Sequence, residues 1–271
     1  MSTVAFAPDD LTVSVTADTT LAELQTEVSQ RNQWLPVDPP NPDRVTIREM
    51  LDFNLSGPRR YGHGTIREHL LGIRAKLADG RVIRNGGAVV KNAAGYDLCR
   101  LFTGAKGELG TLLEATFKVE PKPERERFLE ARFPTLHAAA EFVEKVDTSV
   151  LLPVVLDLHR LAGAIDWTVV VGFAGDRETV DWQCAELGNW GQLTESGLDY
   201  EARFWSEADG GGVNKVSVLP SKVAETILGL GESVTAVVAR AGNGVVYYRA
   251  GPVPAEAAPS KLMERLREAL Q

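Results

Sequence analysis

The sequence predicts an α+β protein of two domains, residues 1–123 and 124–271. Three observations predict it. Period-two apolar alternation, the mark of a half-buried strand, recurs along the chain between stretches with helical spacing. The composition changes after Pro123, where Glu124-Arg125-Glu126-Arg127 forms a charged connector. Beyond it the pattern runs strand, helix, strand, strand, helix and then repeats, an order that builds an antiparallel sheet with helices on one face.

In the first half, Leu11, Val13 and Val15 alternate with Thr12, Ser14 and Thr16 as a strand. A helix follows, with Thr20 and Glu23 at capping-box spacing and Leu21, Leu24 and Val28 along one face. Residues 34–42, W-L-P-V-D-P-P-N-P, hold four prolines and read either as a rigid surface connection or as a ligand-lining loop. Residues 70–84 predict a hairpin about Asp79-Gly80, a type I′ pair, with Leu77 opposite Val82. Val89 and Val90 read as a short strand, 98–102 as a short helix and 104–110 as a tight loop. Leu113, Ala115, Phe117 and Val119 then alternate with polar residues in a strand that Pro121 and Pro123 end.

The second half predicts strands near 128–133, 153–158, 167–173 and 213–219, and a hairpin of 233–240 with 245–249. Helices are predicted near 136–146, 176–188, 221–229 and from about 255. Trp34, Trp182, Trp190 and Trp205 read as core or interface anchors.

Composition limits the function classes. With 44% hydrophobic and 24% charged residues the chain buries an ordinary core. The net charge of -8, with no basic cluster beyond pairs such as Arg59-Arg60, excludes a nucleic-acid footprint. Cys99 and Cys184 lie far apart and share no ligand spacing with the four histidines, which argues against a disulfide framework or a zinc site. No run of about 20 apolar residues occurs, so no transmembrane segment is predicted. A cytoplasmic protein is expected, either free or held at a membrane through partner subunits.

Two glycine-rich stretches carry the chemistry. Residues 84–123 hold Gly86, Gly87, Gly95, Gly104, Gly107 and Gly110, more than one helix or strand accommodates. Residues 54–68, N-L-S-G-P-R-R-Y-G-H-G-T-I-R-E, hold Gly57, Gly62 and Gly64 among Ser56, Thr65 and the guanidinium groups of Arg59, Arg60 and Arg67. Bare amides, hydroxyls and guanidinium groups are what a phosphate or a flavin edge requires. The same glycines also occur in ordinary turns, and His63 reads as a loop residue rather than a general base.

Taken in order, L-P-V-D-P-P, N-L-S-G-P-R-R-Y-G-H-G-T-I-R-E-H-L-L-G-I, D-G-R-V-I-R-N-G-G-A-V-V-K-N-A-A-G-Y-D-L and G-A-K-G-E-L-G-T-L-L-E-A-T-F-K-V-E-P-K-P closely resemble the FAD-linked oxidases of the vanillyl-alcohol oxidase type. Within that family the resemblance is to the FAD-binding subunits of bacterial glycolate oxidases. It resumes at K-V-S-V-L-P-S and A-R-A-G-N-G-V-V-Y-Y-R in the second half.

The resemblance implies a PCMH-type FAD-binding domain over 1–123, with its N-terminal part missing, followed by an α+β cap domain over 124–271. It implies FAD as cofactor, with Asn54, Ser56, Gly57, Gly62, Gly64, Thr65, Lys91 and Gly110 on the cofactor side, joined by Asp38 and Pro39. Gly95, Tyr96 and Asp97 read instead as a turn glycine with a bracing network. The implied activity is oxidation of a small 2-hydroxy acid, glycolate to glyoxylate, alongside a second flavin subunit and an iron-sulfur subunit. Arg59, Arg60 or Lys215 would orient the substrate carboxylate, since a buried anion needs a cation. No catalytic residue and no metal ligand is singled out.

Three departures from the family favour an alternative, a non-catalytic assembly subunit or a truncated fragment that holds FAD weakly. The glycine-rich pyrophosphate loop of the family is not in this sequence. The usual T-I-G-G turn reads Thr46-Ile47-Arg48-Glu49, and a histidine-rich cluster is replaced by Ala239-Arg240-Ala241-Gly242-Asn243-Gly244. The strand at 11–16 is also expected to lack sheet neighbours, which predicts self-association or a partner covering its edge.

Overall fold

The computed structural model describes residues 3–87, 96–206, 212–231 and 233–250. The chain divides into two compact units, Met1–Lys122 and Pro123–Gln271. The strand expected at Val89 and Val90 and the helix expected from about 255 lie outside the described residues.

In the first unit, strands β1 (Thr3–Ala7) and β2 (Thr12–Thr16) lead into helix α1 (Leu21–Ser29). The capping box of α1 forms as its spacing predicts: the Thr20 hydroxyl accepts from the Glu23 amide, and the Glu23 carboxylate from the Thr20 amide. Then come β3 (Gln33–Trp34), α2 (Ile47–Asp52) and two single-turn helices, α3 (Arg60–His63) and α4 (Ile66–His69). The unit closes with β4 (Leu70–Lys76), β5 (Val82–Gly86), α5 (Leu98–Phe102), β6 (Thr111–Lys118) and β7 (Glu120–Pro121).

Five strands form one antiparallel sheet in the order β1-β2-β6-β4-β5. Val13, Val15, Ile73, Ala115 and Phe117 line the face that packs on Leu21, Leu24 and Val28 of α1 and on Ile47, Met50 and Leu51 of α2. All of these are at least nine-tenths buried.

Four expectations change in this unit. β2 is not an edge, because β1 pairs with it on one side and β6 on the other, so the open edge passes to residues 3–7. In the hairpin, Val82 faces Lys76, and the Leu77 amide donates to the Arg81 carbonyl at 2.9 Å. Gly80 takes φ +87° while Asp79 keeps a negative φ, so three residues turn the chain rather than a two-residue type I′ loop. On β6 a register shift between the pairs Arg74–Glu114 and Ala75–Leu112 sends Leu112 rather than Leu113 into the core. Lastly, residues 46–49 are no open turn: Thr46 caps α2, and Glu49 completes a second capping box.

In the second unit, β8 (Arg125–Phe133), α6 (Leu136–Asp147), β9 (Val155–Arg160), β10 (Trp167–Gly175) and α7 (Arg177–Gly188) follow the predicted order. β11 (Thr194–Ser196) and α8 (Asp199–Ser206) come next and were not expected. The set ends with β12 (Val213–Ser217), α9 (Val223–Gly229), β13 (Val234–Arg240) and β14 (Val245–Ala250). A seven-stranded antiparallel sheet runs β11-β8-β10-β9-β13-β14-β12.

Its two faces differ in chemistry. Alternate residues such as Leu129, Ala131, Val169, Val171, Leu156 and Leu158 form one apolar face, on the side of α6 and α7. The opposite face carries Asp157, His159 and Arg240, and Tyr200 and Glu201 of α8 lie over it.

Candidate functional site

The glycine loop of the first unit is built by close approach. A Cβ added to Gly57 would stand 1.8 Å from the Asp38 carbonyl oxygen, so only glycine lets the loop after α2 cross the proline-rich loop after β3. Asp38 then staples the crossing. Its carboxylate accepts from the Arg59 amide at 3.2 Å and from the Arg59 guanidinium at 2.9 Å. The guanidinium lies 5.6 Å from the centre of the Trp34 ring, and the Trp34 and His63 rings stand edge to face with their centres 5.3 Å apart.

His63 holds the far end of the loop. Its Nδ1 lies 3.4 Å from Glu120, which lowers the carboxyl pKa of Glu120, and its carbonyl accepts from Nε2 of His69 at 2.9 Å. Burial lowers the pKa of His69, so a neutral ring with hydrogen on Nε2 satisfies that contact. Nε2 of His63 is buried without a hydrogen-bond partner.

The remaining loop residues divide by whether their polar atoms are engaged. Asn54 takes a left-handed backbone, φ +47°, and its side-chain oxygen is buried and accepts nothing. Gly104 stands beside it, and the 104–110 loop is sewn to the end of α2 by Gly104 N–H to Leu51 O at 2.7 Å and Lys106 N–H to Asp52 O at 2.8 Å. Ser56 is buried and accepts from the Arg60 guanidinium at 3.2 Å. Gly64, at φ +81°, ends α3, whereas Gly62 is exposed within it. Thr65 caps α4, and both its amide and its hydroxyl donate to Glu68.

Pro39 is buried beside Asp38, and Gly110, at φ +151°, passes the Lys76 carbonyl where a Cβ would stand at 2.6 Å. Tyr96 is exposed, and Asp97 caps α5 by accepting from the Arg100 amide at 3.0 Å. Lys91 and Gly95 lie outside the described residues.

These residues fit a flavin-binding loop. The orphaned acceptor on Asn54 and the Cβ-free crossing at Gly57 offer a buried hydrogen-bonding wall. Arg59, by contrast, already faces Asp38, which neutralises it.

The second unit holds a buried ion cluster that sequence reasoning missed. Arg240 on β13 stands opposite Asp157 on β9, and its guanidinium donates to Asp157 and, through two bonds of 2.7 Å, to Glu201 on α8. The Tyr200 hydroxyl donates to the same Asp157 oxygen at 2.6 Å. Arg240 and Asp157 are each 1% exposed. Burial, with Glu201 as a second anion beside it, pushes Asp157 up to about 7 despite the guanidinium. His159, two residues along the same face, stacks on Tyr200 at 4.5 Å, and burial pulls it down to about 4.

A cleft of about 560 Å³ opens beside this cluster, lined among others by Arg132, His159, Thr168, Tyr200 and Arg203. The signal for the cluster was present in V-L-D-L-H-R and A-V-V-A-R-A, where single charged residues interrupt apolar strands. Lys215 on β12 is exposed, with its ammonium 5.7 Å from the Tyr247 ring. It belongs to the second unit, whereas Arg59 and Arg60 belong to the first.

Residues 1–86 match the family of the FAD binding domain. The chain is 34% identical to glycolate oxidase subunit GlcD of Bacillus subtilis over 149 residues, 55% of this chain and 32% of that protein. It is 35% identical to glycolate oxidase subunit GlcE of Escherichia coli over 142 residues, 52% of this chain and 41% of that protein. Residues 1–86 thus match an FAD binding domain, and about half of the chain aligns with glycolate oxidase subunits.

The match to an FAD binding domain makes FAD the cofactor. A D-lactate dehydrogenase of Archaeoglobus fulgidus is 36% identical over 121 residues, 44% of this chain and 27% of that protein. The chain therefore spans between about a quarter and two fifths of the length of these relatives. Among solved structures, an alkyldihydroxyacetonephosphate synthase superposes with a TM-score of 0.72 at 13% identity, covering 99% of this chain and 60% of that one, which is a likeness of fold.

Proposed function

We propose that this chain is the FAD-binding subunit of an enzyme complex that oxidises a small 2-hydroxy acid, with glycolate to glyoxylate as the leading reaction. The observation that carries the reading is the loop crossing at Gly57 and Asp38, with the unsatisfied Asn54 oxygen on the same loop, within the stretch that matches the FAD binding domain. Glycolate oxidase subunits and a D-lactate dehydrogenase among the relatives support 2-hydroxy acids as substrates. When bound, FAD supplies the two-electron acceptor for the hydrogen on the hydroxyl-bearing carbon.

On this reading Asn54, Ser56, Gly57, Gly62, Gly64, Thr65 and Gly110 flank the flavin, with Asp38 and Pro39 as the wall behind Gly57. Because Thr65 spends its amide and hydroxyl on Glu68, it holds the loop's shape rather than the cofactor. Arg59 holds Asp38, and the carboxylate-orienting role is proposed for Arg59, Arg60 or Lys215. Lys91 is proposed as a further cofactor-side residue. The domain from Pro123 onward acts as the cap, and a second flavin subunit and an iron-sulfur subunit carry electrons onward. Among the described residues no helix is long and apolar enough to cross a membrane.

A specific observation favours a second reading, an assembly subunit. In 239–244, where the resemblance expects histidines, Arg240 is buried and neutralised by Asp157 and Glu201. Residues 239–244 themselves carry no imidazole to accept the hydroxyl proton, and among the described residues no three His, Cys, Asp or Glu side chains converge on a metal site.

The visible spectrum of the purified chain, before and after incubation with excess FAD and removal of unbound ligand, tests both. Flavin bands at about one per chain that bleach on adding glycolate or D-lactate support the oxidase. Bound flavin without bleaching keeps the cofactor assignment and counts against turnover of these acids by this chain. A colourless protein supports the assembly subunit and overturns the cofactor assignment.

A further inference from the structure

A groove of about 380 Å³ runs along α6 in the second unit, and its occupant is the issue. Its floor is apolar, from Ala140 and Val143 of α6, Leu158 of β9, Val223 and Ala224 of α9, and Ala241. Its rim is acidic, with Glu141, Glu144 and Asp147 spaced three apart along the exposed side of α6. An apolar floor with an acidic rim suits an amphipathic segment whose apolar stripe has basic edges.

The sequence beyond Ala250 supplies such a segment. Residues 251–271 read G-P-V-P-A-E-A-A-P-S-K-L-M-E-R-L-R-E-A-L-Q. Read as a helix capped by Ser260, residues 261–270 bring Leu262, Leu266, Ala269 and Leu270 onto one stripe. Lys261 and Arg265 border that stripe on one side and Arg267 on the other, while Glu264 and Glu268 fall behind. We propose that residues 260–271 of this same chain dock in the α6 groove, laying the leucine stripe on the apolar floor and the basic borders against Glu141, Glu144 and Asp147.

The connection is long enough. β14 ends at Ala250, which pairs with Val234, while Gly242 at the groove lies at the other end of the same hairpin. The return distance is about 20 Å, six residues at about 3.3 Å each. Residues 251–259 include Pro252, Pro254 and Pro259, and a proline-rich stretch spans about 3 Å per residue, or roughly 28 Å. The ten-residue helix 261–270 would be about 15 Å long, close to the length of α6 between His137 and Thr148.

Hydrogen-deuterium exchange of the full chain tests the proposal without depending on the flavin. The expected result is that amides of residues 262–270 exchange about tenfold or more slowly than in a free peptide of that sequence. L262D/L266D should bring them to the peptide rate. E141K/E144K should weaken the protection, and adding R265E/R267E should restore it. These substitutions lie on exposed α6 positions or in the segment itself, so the sheet should keep its own protection as an internal control. Peptide-rate exchange in the unsubstituted chain overturns the proposal, as does protection that survives L262D/L266D. Protection that rises with protein concentration also overturns it, because the groove would then hold a second copy's segment.

Discussion

Gly57 and Asp38 touch backbone to backbone: a methyl group on Gly57 would lie 1.8 Å from the Asp38 carbonyl oxygen and 2.5 Å from its carboxylate. Neither neighbour can give way cheaply, since Asp38 is tied to the amide and guanidinium of Arg59. Gly57→Ala should therefore cost about 1–3 kcal/mol of stability by overpacking and lower flavin uptake at saturating FAD. Gly188→Ala is the control, because a Cβ there meets nothing within 4 Å and the last turn of α7 welcomes alanine. Thermal unfolding and flavin absorbance of the two variants check the expectation, and equal losses would refute it.

Arg240 joins two strands and a helix through buried carboxylates. Arg240→Ala leaves Asp157 and Glu201 without their cation and should cost about 3–5 kcal/mol. Glu201→Gln keeps a hydrogen-bond acceptor for the guanidinium and should cost less. Denaturant midpoints at neutral pH rank the two, and a milder loss in Arg240→Ala would show that α8 is held by its apolar contacts alone.

His159 sets a pH dependence of definite sign. Its pKa falls from 6.5 to about 4 on folding, so the stability tied to its neutral form is present above pH 6.5 and is lost as pH falls toward 4. The whole effect amounts to about 3 kcal/mol. Asp157, raised from 3.8 to about 7, works the other way, favouring the fold as pH falls through the same window. His159→Gln should therefore make the protein gain stability on acidification from pH 7 to 4.5 relative to the unsubstituted chain. Urea midpoints at the two pH values measure this, and parallel pH profiles would contradict it.

Cys99 should be inert. Burial pushes its thiol up to about 11, with Asp97 adding to the shift, and the side chain is 7% exposed. Burial raises Cys184 as well. A maleimide at neutral pH should leave both unlabelled in the native protein and label both in denaturant, as counted by mass spectrometry.

Local chemistry determined much of this protein on its own. The Thr20–Glu23 box and the alternation from Thr12 to Thr16 depend on neighbours within a few residues, so each element was legible before folding, whereas Leu11 turns left-handed ahead of the strand. The glycine motifs likewise announced the FAD binding domain that residues 1–86 match. Other features depended on what a residue meets far away in sequence. A strand forms at 3–7 because β2 offers it a partner, and the β6 register shift exists because Ala75 faces Leu112 across the sheet. Thr46–Glu49 became a helix start because Thr46 and Glu49 close a capping box at the head of α2. Arg59 was legible as a cation but not as one already neutralised, since Asp38 lies 21 residues before it. Asp157, Glu201 and Arg240 come together from three elements, and only burial, which makes an unpaired charge costly, decided that they must meet.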